Sequence, residues 1–256
     1  GIRLHIDATA RRQIQKDVDA LRRSENYFQR RISNINMYFP IIERIFMEEG
    51  VSPDFKYLVI QESALIPDAV SSSNAVGYWQ FKEATAVEMG LRVDRHVDER
   101  MNIASSTRAA ARYLKKNHYY LDNWIYALLS YNTGLSGAEK YIENRNRGAS
   151  RMNITSKTHW YVKKFLAHKV AYENAIGVNP KPQLIFFEYN EGAGMSIEEV
   201  ARLHNADPQV TKEHNKWLRR GPIPGDKTYT VLVPLPPAQV PIKEIVAERV
   251  EPIEIK

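Results

Sequence analysis

The chain has 256 residues, of which 43% are hydrophobic and 26% are charged, a composition typical of a folded globular protein. It contains no cysteine, which excludes disulfides, thiolate metal sites and cysteine nucleophiles. The formal net charge of +6 favours an anionic partner such as nucleic acid, an acidic glycan or anionic lipid, although a solvated basic surface explains it equally well. No apolar run reaches the roughly 18 residues of a membrane-spanning helix. The first residues lack the apolar core of a signal peptide, so we expect that any targeting segment was removed or never existed.

The first two thirds of the chain predict a succession of helices. A polar helix is expected over 9–24, and a more apolar one over 27–49 that is interrupted at Pro40. Further helices are predicted over 53–63, 82–89, 104–120, 124–131 and 157–175, with a short helix opened by Ser136 and a polar loop over 145–156. Asp122 or Asn123 is expected to cap the helix over 124–131.

The last third differs in composition, because ten of the 13 prolines lie at or beyond Pro180. Strands are predicted over 183–188 and 228–233, and helices between them over 196–204 and 208–218. This order predicts a small β-α-α-β unit behind a proline-containing linker. The tail from Pro236 is expected to be a linker or an edge segment.

The helix over 53–63 places a carboxylate on an apolar stripe. Phe55, Leu58 and Val59 line one side at helical spacing, and Glu62 falls within the same stripe. Burial among apolar side chains raises the pKa of a carboxyl group, which is what general acid catalysis on a glycosidic oxygen requires near neutral pH. A structural ion pair between Glu62 and a lysine or arginine explains the pattern as well, so periodicity alone leaves both interpretations open.

Two other segments carry groups suited to sugar binding. Residues 69–81 (AVSSSNAVGYWQF) and 130–134 (SYNTG) combine hydroxyls, amides, glycine and aromatic rings, which bind the polar edges and apolar faces of pyranoses. A packed loop and an ordinary helix C-cap explain them equally well. Metal-binding histidine pairs, phosphate-binding loops and nucleophile elbows are missing from the sequence, so we expect no metal, no cofactor and no nucleic-acid partner.

Four blocks of the sequence, taken in order, resemble one family. They are residues 62–81, which begin with Glu62-Ser63; residues 93–114; residues 127–134 (ALLSYNTG); and residues 158–167 (THWYVKKFLA). Together they resemble the goose-type lysozyme-like catalytic domain of family 1 lytic transglycosylases, above all the membrane-bound lytic murein transglycosylase D branch. The resemblance covers about residues 40–177.

The resemblance implies a mainly α fold with a lysozyme-like helical catalytic domain, and an enzyme that cleaves peptidoglycan between N-acetylmuramic acid and N-acetylglucosamine. In that family a single glutamate acts as acid and then as base, giving 1,6-anhydromuramyl ends without water, and Glu62 matches it. The substrate-binding positions that the resemblance implies are Ser71, Gly77, Tyr78, Gln80, Phe81, Tyr131, Asn132 and Tyr161. It also implies peptidoglycan strands as the partner, no cofactor, and a location in the periplasm or cell envelope. Association with the outer membrane through a removed N-terminal anchor is left open, and we expect a monomer.

The chain departs from the family pattern at one acidic position. Lys157-Thr158-His159 stands where the family has Glu-Thr-Arg, which changes the charge of the expected groove. The C-terminal unit resembles a divergent LysM module, because Glu191–Gly194 replaces the usual Gly-Asp-Thr start. We therefore predict an N-terminal helical segment (1–39), a catalytic domain (40–180), a LysM-like domain (181–236) and a linker or tail (237–256). A water-using muramidase and a peptidoglycan-binding scaffold without turnover remain as alternatives.

Overall fold

The computed structural model describes residues 2–176 and 184–240, and the chain divides into two compact units. The first comprises Gly1–Pro180 together with Asn215–Gly221, and the second comprises Lys181–His214 and Pro222–Lys256. Most of the predicted linker near residue 180 and most of the predicted tail after residue 240 lie outside the described residues. In the described part of the chain, no helix is both long and apolar enough to cross a membrane.

The first unit is built mainly from helices, so the predicted mainly α class is confirmed. A one-turn 3-10 helix, Pro53–Lys56, leads directly into the third α-helix. In chain order the elements are β1 (Arg3–Ile6), α1 (Ala8–Arg22), α2 (Glu25–Glu48), α3 (Tyr57–Ser63), α4 (Glu83–Glu88), α5 (Ile103–Leu121), α6 (Trp124–Thr133), α7 (Leu135–Glu139), β2 (Arg151–Ile154) and α8 (Trp160–Tyr172). Helix α2 packs on α5, α5 on α6, and α8 on α1, α3 and α6.

Helix α2 is continuous, so the predicted interruption at Pro40 is wrong. Proline in a helix removes one backbone hydrogen bond and costs about 3 kcal/mol. Here Tyr38, Phe39, Ile41 and Ile42 around it are all buried, whereas Pro40 itself is exposed. The apolar burial on either side offsets that cost, and water can reach the peptide groups near the proline ring. The boundary predicted between residues 39 and 40 falls inside this helix.

Helices α5 and α6 begin at side-chain caps. Asn102 caps α5, and Asn123 rather than Asp122 caps α6, since its Oδ1 accepts hydrogen bonds from the amides of Ile125 and Tyr126. Asp122 instead ends α5 in the left-handed region, with φ of 49°. Asp122 therefore fixes where α5 stops, and Asn123 fixes where α6 starts.

Two short strands were not predicted from the sequence. Strand β1 pairs with β2 in parallel, from Arg3 opposite Arg151 to Ile6 opposite Ile154. The prediction of a polar loop over the whole of 145–156 is therefore wrong for residues 151–154. Both strands do alternate polar and apolar residues (RLHI and RMNI), but each runs for only four residues, the shortest length at which alternation indicates a strand, and the sequence prediction missed them.

The second unit contains β3 (Ile185–Tyr189), α9 (Ile197–Leu203), α10 (Pro208–His214) and β4 (Val231–Leu235), in the predicted β-α-α-β order. Strands β3 and β4 pair antiparallel, and a capping box between Ser196 and Glu199 starts α9.

The second helix of this unit ends earlier than predicted. Helix α10 stops at His214, so its predicted extension to 218 is wrong. The following residues, Asn215–Gly221, belong to the first unit. There the amide of Asp98 donates to the carbonyl of Trp217 at 2.9 Å, and the amide of Arg219 donates to the carbonyl of His96 at 2.8 Å. These backbone bonds tie the segment to residues 96–98.

Candidate active site

Glu62 lies in the last turn of α3, whose residues Tyr57–Ile60 are all buried. The helix ends because Ala64 and Leu65 both adopt left-handed backbone angles, with φ of 56° and 63°. The Glu62 side chain is partly buried at this end, and burial raises the pKa of its carboxyl group to about 7, although a hydrogen bond from Tyr161 acts in the opposite direction. The predicted inward position of this carboxylate is therefore present in the structure.

Tyr161 lies in the first turn of α8, the helix that packs against α3. Its hydroxyl donates to Oε1 of Glu62 at 2.5 Å, and only 2% of the residue is exposed. Burial, followed by the charge of Glu62, holds the pKa of Tyr161 well above its ordinary value. The phenol therefore stays protonated near neutral pH and remains a hydrogen-bond donor to the carboxylate.

Tyr131, in the last turns of α6, is the second tyrosine near the carboxylate. Its hydroxyl donates to the carbonyl of Trp79 at 2.9 Å. Burial raises its pKa well above the ordinary value, and the charge of Glu62 raises it further. The ring of Tyr131 packs edge-on against Tyr113, with centroids 5.3 Å apart, and lies 5.9 Å from Phe81.

The loop over residues 69–81 is folded tightly by its own polar groups. The amide of Gly77 donates to the carbonyl of Ala69, and Nε2 of Gln80 donates to the carbonyls of Ala69 and Gly77 at 3.0 and 2.9 Å. Gly77 has φ of 86°, and a Cβ at this position would lie 1.9 Å from the backbone oxygen of Arg100. Glycine is therefore required here for both its backbone angle and its lack of a side chain.

The same loop is also joined to helix α3. The hydroxyl of Ser63, the residue after Glu62, donates to the carbonyl of Tyr78 at 2.7 Å. The ring of Tyr78 is fully buried and its hydroxyl shares a hydrogen bond with Tyr38, while the indole of Trp79 donates to Thr107. The side chains of Tyr78 and Trp79 thus support the site as part of the core.

The structure brings only some of the predicted site residues together. Glu62, Tyr131 and Tyr161 converge, and Phe81 packs behind Tyr131. Gly77, Tyr78 and Gln80 shape the adjoining loop. Ser71 is partly buried and its Oγ accepts from the amide of Ala75, and Asn132 is exposed at the end of α6; neither has a recorded contact with Glu62.

The alternative interpretation of Glu62 as half of a structural ion pair is not supported. Across residues 2–176 and 184–240, none of the ion pairs involves Glu62. Two acidic residues that follow Glu62 in the sequence form ion pairs with lysines, Asp68 with Lys216 at 2.9 Å and Glu88 with Lys116. The site therefore presents one carboxylate with a tyrosine donor.

Sequence reasoning missed two contributors to the site. Tyr113 supports Tyr131 through its ring and donates to the carbonyl of Ser130 at 3.1 Å. Gln61 lies beside Glu62 with a weak 3.5 Å contact to the carbonyl of Tyr161, and its Oε1 is buried with no hydrogen-bond partner in the described part of the chain. Tyr113 lies within the block 93–114 that carries the resemblance, but its helical position alone indicates only packing.

Residues 157–159, where the sequence departs from the pattern of the family that it resembles, lie at the start of α8. Nδ1 of His159 accepts the amide of Tyr161 at 3.2 Å, so His159 caps the helix that carries the tyrosine. Burial, with the nearby charge of Lys163, lowers the pKa of His159, which keeps its imidazole neutral and able to accept. Lys157 is exposed. Throughout the described ranges, no cluster of three or more histidine, aspartate or glutamate side chains could hold a metal ion.

The chain is similar to known proteins in sequence and in structure. Residues 40–154 match the family model described as Transglycosylase SLT domain. Over 116 residues the chain is 34% identical to membrane-bound lytic murein transglycosylase D of Escherichia coli, in both strain K12 and strain O6:H1; the match covers 43% of this chain and 26% of the relative. The chain therefore spans about a quarter of the curated relatives that it matches. It is also similar to the X-ray structure of an inactive mutant of lytic transglycosylase Slt from Pseudomonas aeruginosa, with 20% identity, a TM-score of 0.41, and coverage of 56% of this chain and 25% of the other.

Proposed function

We propose that this chain cleaves peptidoglycan as a lytic transglycosylase, with Glu62 as the single catalytic acid and base. The observation that carries the proposal is the partly buried Glu62 carboxyl, whose pKa is raised to about 7 and which accepts a hydrogen bond from Tyr161. The match of residues 40–154 to the transglycosylase SLT domain, and the similarity to membrane-bound lytic murein transglycosylase D of two Escherichia coli strains, support the choice of peptidoglycan as substrate.

The raised pKa of Glu62 suits a residue that must both give and accept a proton. A carboxyl group with a pKa of about 7 is present in both forms near neutral pH, whereas an ordinary glutamate is almost fully ionised there. In the proposed first step, Glu62 protonates the glycosidic oxygen between N-acetylmuramic acid and N-acetylglucosamine, and the bond from C1 to that oxygen breaks.

In the second step the carboxylate of Glu62 removes the proton from the C6 hydroxyl of the muramyl residue. The C6 oxygen then bonds to C1, which gives a 1,6-anhydro end and returns Glu62 to its protonated form. Ordinary glycosidases need a second carboxylate as nucleophile or base. A substrate that supplies its own nucleophile removes that need, consistent with the ion pairing of Asp68 and Glu88 away from Glu62.

The surrounding groups have supporting roles in this proposal. Tyr161 stabilises the ionised form of Glu62, and Tyr131 presents a ring and a neutral hydroxyl beside it. We assign Ser71, Gln80 and the exposed Asn132 to binding of the glycan. The second unit, with its β3-α9-α10-β4 order, is proposed to bind glycan as a divergent LysM module, and the protein to act as a monomer in the cell envelope.

Replacement of Glu62 by glutamine tests the chemistry. Glu62→Gln is nearly isosteric and keeps an oxygen for Tyr161, so the fold is expected to persist while release of anhydromuropeptides from purified sacculi is abolished. Glu83→Gln, at the exposed start of α4, removes the same charge and is the matched control, expected to act like the wild type.

Mass spectrometry of the products separates the competing functions. Products lighter than the hydrolytic ones by one water support the transglycosylase. Hydrated reducing ends would indicate a lysozyme-like muramidase instead. Binding of the wild-type chain to sacculi without any soluble product would indicate a scaffold and overturn the proposal.

A further inference from the structure

The first unit contains a concavity, and Glu62 is not among its lining residues. It occupies about 790 Å³ between α6, residues 140–146 and residues 151–159. Ile125, Leu129 and Val162 form an apolar floor, and all three are buried. Polar groups such as Asn153 and Thr158 line the walls. A cavity with an apolar floor and a few polar wall groups has the general make-up of a ligand site.

The rim of this cavity carries a concentration of positive charge. Lys140, Arg145, Arg151 and Lys157 all line it, and Glu143 is the one carboxylate among the lining residues. Glu143 is already bound by Arg145 at 2.6 Å. Over the two stretches of chain that the structure describes, no ion pair includes Lys140, Arg151 or Lys157. The rim therefore has three cations available for an anionic ligand.

Strand pairing adds to this charge. The parallel register of β1 and β2 places Arg3 directly opposite Arg151, and both residues are exposed. Two like charges on neighbouring strands repel each other, and nearby carboxylates would normally relieve the repulsion. Because the one carboxylate that lines the cavity, Glu143, is already paired with Arg145, the charge of the rim is explained better by an anion that binds there than by stability of the fold.

The ligand that fits is a peptide with several carboxylates. A small inorganic anion needs cations but no apolar floor, whereas a peptide buries its aliphatic parts on the floor and places its carboxylates at the basic rim. The walls share helices with the Glu62 site. Leu129 of α6 and Val162 of α8 line the cavity, while Tyr131 and Tyr161 of the same helices face Glu62.

We propose that this cavity binds the carboxylates of the stem peptide attached to the muramic acid whose glycosidic bond is cleaved at Glu62. This inference rests on the proposed function, since the substrate class comes from it. Lys157 and Arg151 are the determinants, because they approach the cavity from the β2–α8 side and form no ion pair with any residue of the described ranges.

Direct binding tests the inference without any need for turnover. The probe is a fluorescent synthetic stem tripeptide with free carboxylates, followed by anisotropy with the wild-type chain. We expect saturable binding that weakens with salt, and at least about tenfold weaker binding of the same peptide with its carboxylates amidated. Equal affinity for the free and amidated peptides, or no binding of either, would overturn the proposal.

Charge reversal locates the site. Arg151→Glu combined with Lys157→Glu is expected to weaken peptide binding by about tenfold or more. The matched control, Arg11→Glu with Lys16→Glu, makes the same change in net charge at exposed positions of α1 away from the cavity and is expected to stay within about twofold of the wild type. Equal losses in the two double variants would refute the assignment of the site.

Turnover kinetics separate this inference from the proposed function. On peptide-bearing glycan strands, the cavity variant is expected to raise KM about tenfold with little change in kcat, and on peptide-stripped strands to behave like the wild type. Equal KM values for wild type and variant on both substrates would overturn the inference but leave Glu62 catalysis standing. An inactive wild-type chain that still binds the free peptide would refute the catalytic proposal alone.

Discussion

Burial and the hydrogen bond from Tyr161 have opposite effects on the pKa of Glu62. Removing one oxygen atom, the hydroxyl of Tyr161, tests the contribution of that hydrogen bond. Tyr161→Phe removes the hydroxyl that donates to Oε1 and keeps the ring in its buried position. The bond favours the ionised form of Glu62, because a phenol donates to a carboxylate more strongly than to a neutral acid. Its loss leaves burial as the dominant influence, and the pKa of Glu62 is expected to rise.

The size of the rise follows from the strength of the bond. Hydrogen bonds to charged groups contribute about 1.5–3 kcal/mol. Since one pKa unit corresponds to about 1.4 kcal/mol, the variant should raise the pKa of Glu62 by about 1 to 2 units. From a starting value of about 7, this places the pKa of the variant at about 8 to 9. The base step should then become limiting near neutral pH, and the optimum for product release should move upward by the same amount.

NMR titration of a chain carrying ¹³C-labelled glutamate measures this pKa directly, and the Glu62→Gln variant identifies the resonance. Tyr131→Phe is the matched control, because it also removes one phenol near Glu62, but that hydroxyl donates to the carbonyl of Trp79. We expect the control to change the pKa of Glu62 by less than about 0.5 units. An unchanged or lower pKa in Tyr161→Phe, or equal shifts in the two variants, would refute this account of the carboxyl group.

Three further predictions concern stability. The pKa of Glu62 is about 7 in the folded chain against an ordinary value of 4.5, so ionisation of this group destabilises the fold as pH rises from 4.5 to about 7. In urea unfolding, Glu62→Gln should therefore raise the free energy of unfolding by about 3 kcal/mol at pH 8 and leave it unchanged at pH 4. Burial lowers the pKa of His168 to about 4, so the stability that its neutral form gives to the fold is lost as pH falls from 6.5 to 4. Thermal scans at those pH values should show that His168→Leu removes about 3 kcal/mol of this destabilisation by acid. Gly77→Ala should cost about 3 kcal/mol or more, against about 1 kcal/mol for Gly50→Ala, which shares a positive φ but has open space; equal losses would contradict the steric argument.

The position of Glu62 could be predicted from sequence because helical periodicity is a local property. Fixed spacing puts Glu62 on the apolar stripe of its helix whatever the rest of the chain does. Its pKa could not be derived in the same way, because Tyr161 is 99 residues away in the sequence and reaches Glu62 only through the packing of α8 on α3. The supporting contacts of Tyr113 and the unpartnered Oε1 of Gln61 depend equally on packing between distant segments.

Long-range pairing also explains the errors in secondary structure. Strand β2 pairs with β1, which lies about 150 residues earlier and supplies its backbone partners. Both strands alternate polar and apolar residues, but the four-residue runs are too short to stand out in the sequence alone. Helix α10 ends at His214 because the next residues bond to the loop around Asp98. Helix α2 continues through Pro40 because its flanking residues are buried. For α2 and α10 a tertiary contact outweighs the local preference, and for β1 and β2 it completes a short local pattern.

The value of the Glu62 pKa is itself an argument about mechanism. Burial drives the pKa upward and the Tyr161 hydrogen bond holds it down, so that the two opposing influences leave it at about 7. A single residue that is acid in one step and base in the next needs both forms within reach, and each form would become rare if either influence acted alone. A second carboxylate close to Glu62 would raise its pKa further and favour the protonated acid at the expense of the base. The arrangement of one carboxylate with one tyrosine donor is therefore suited to a substrate that provides its own nucleophile.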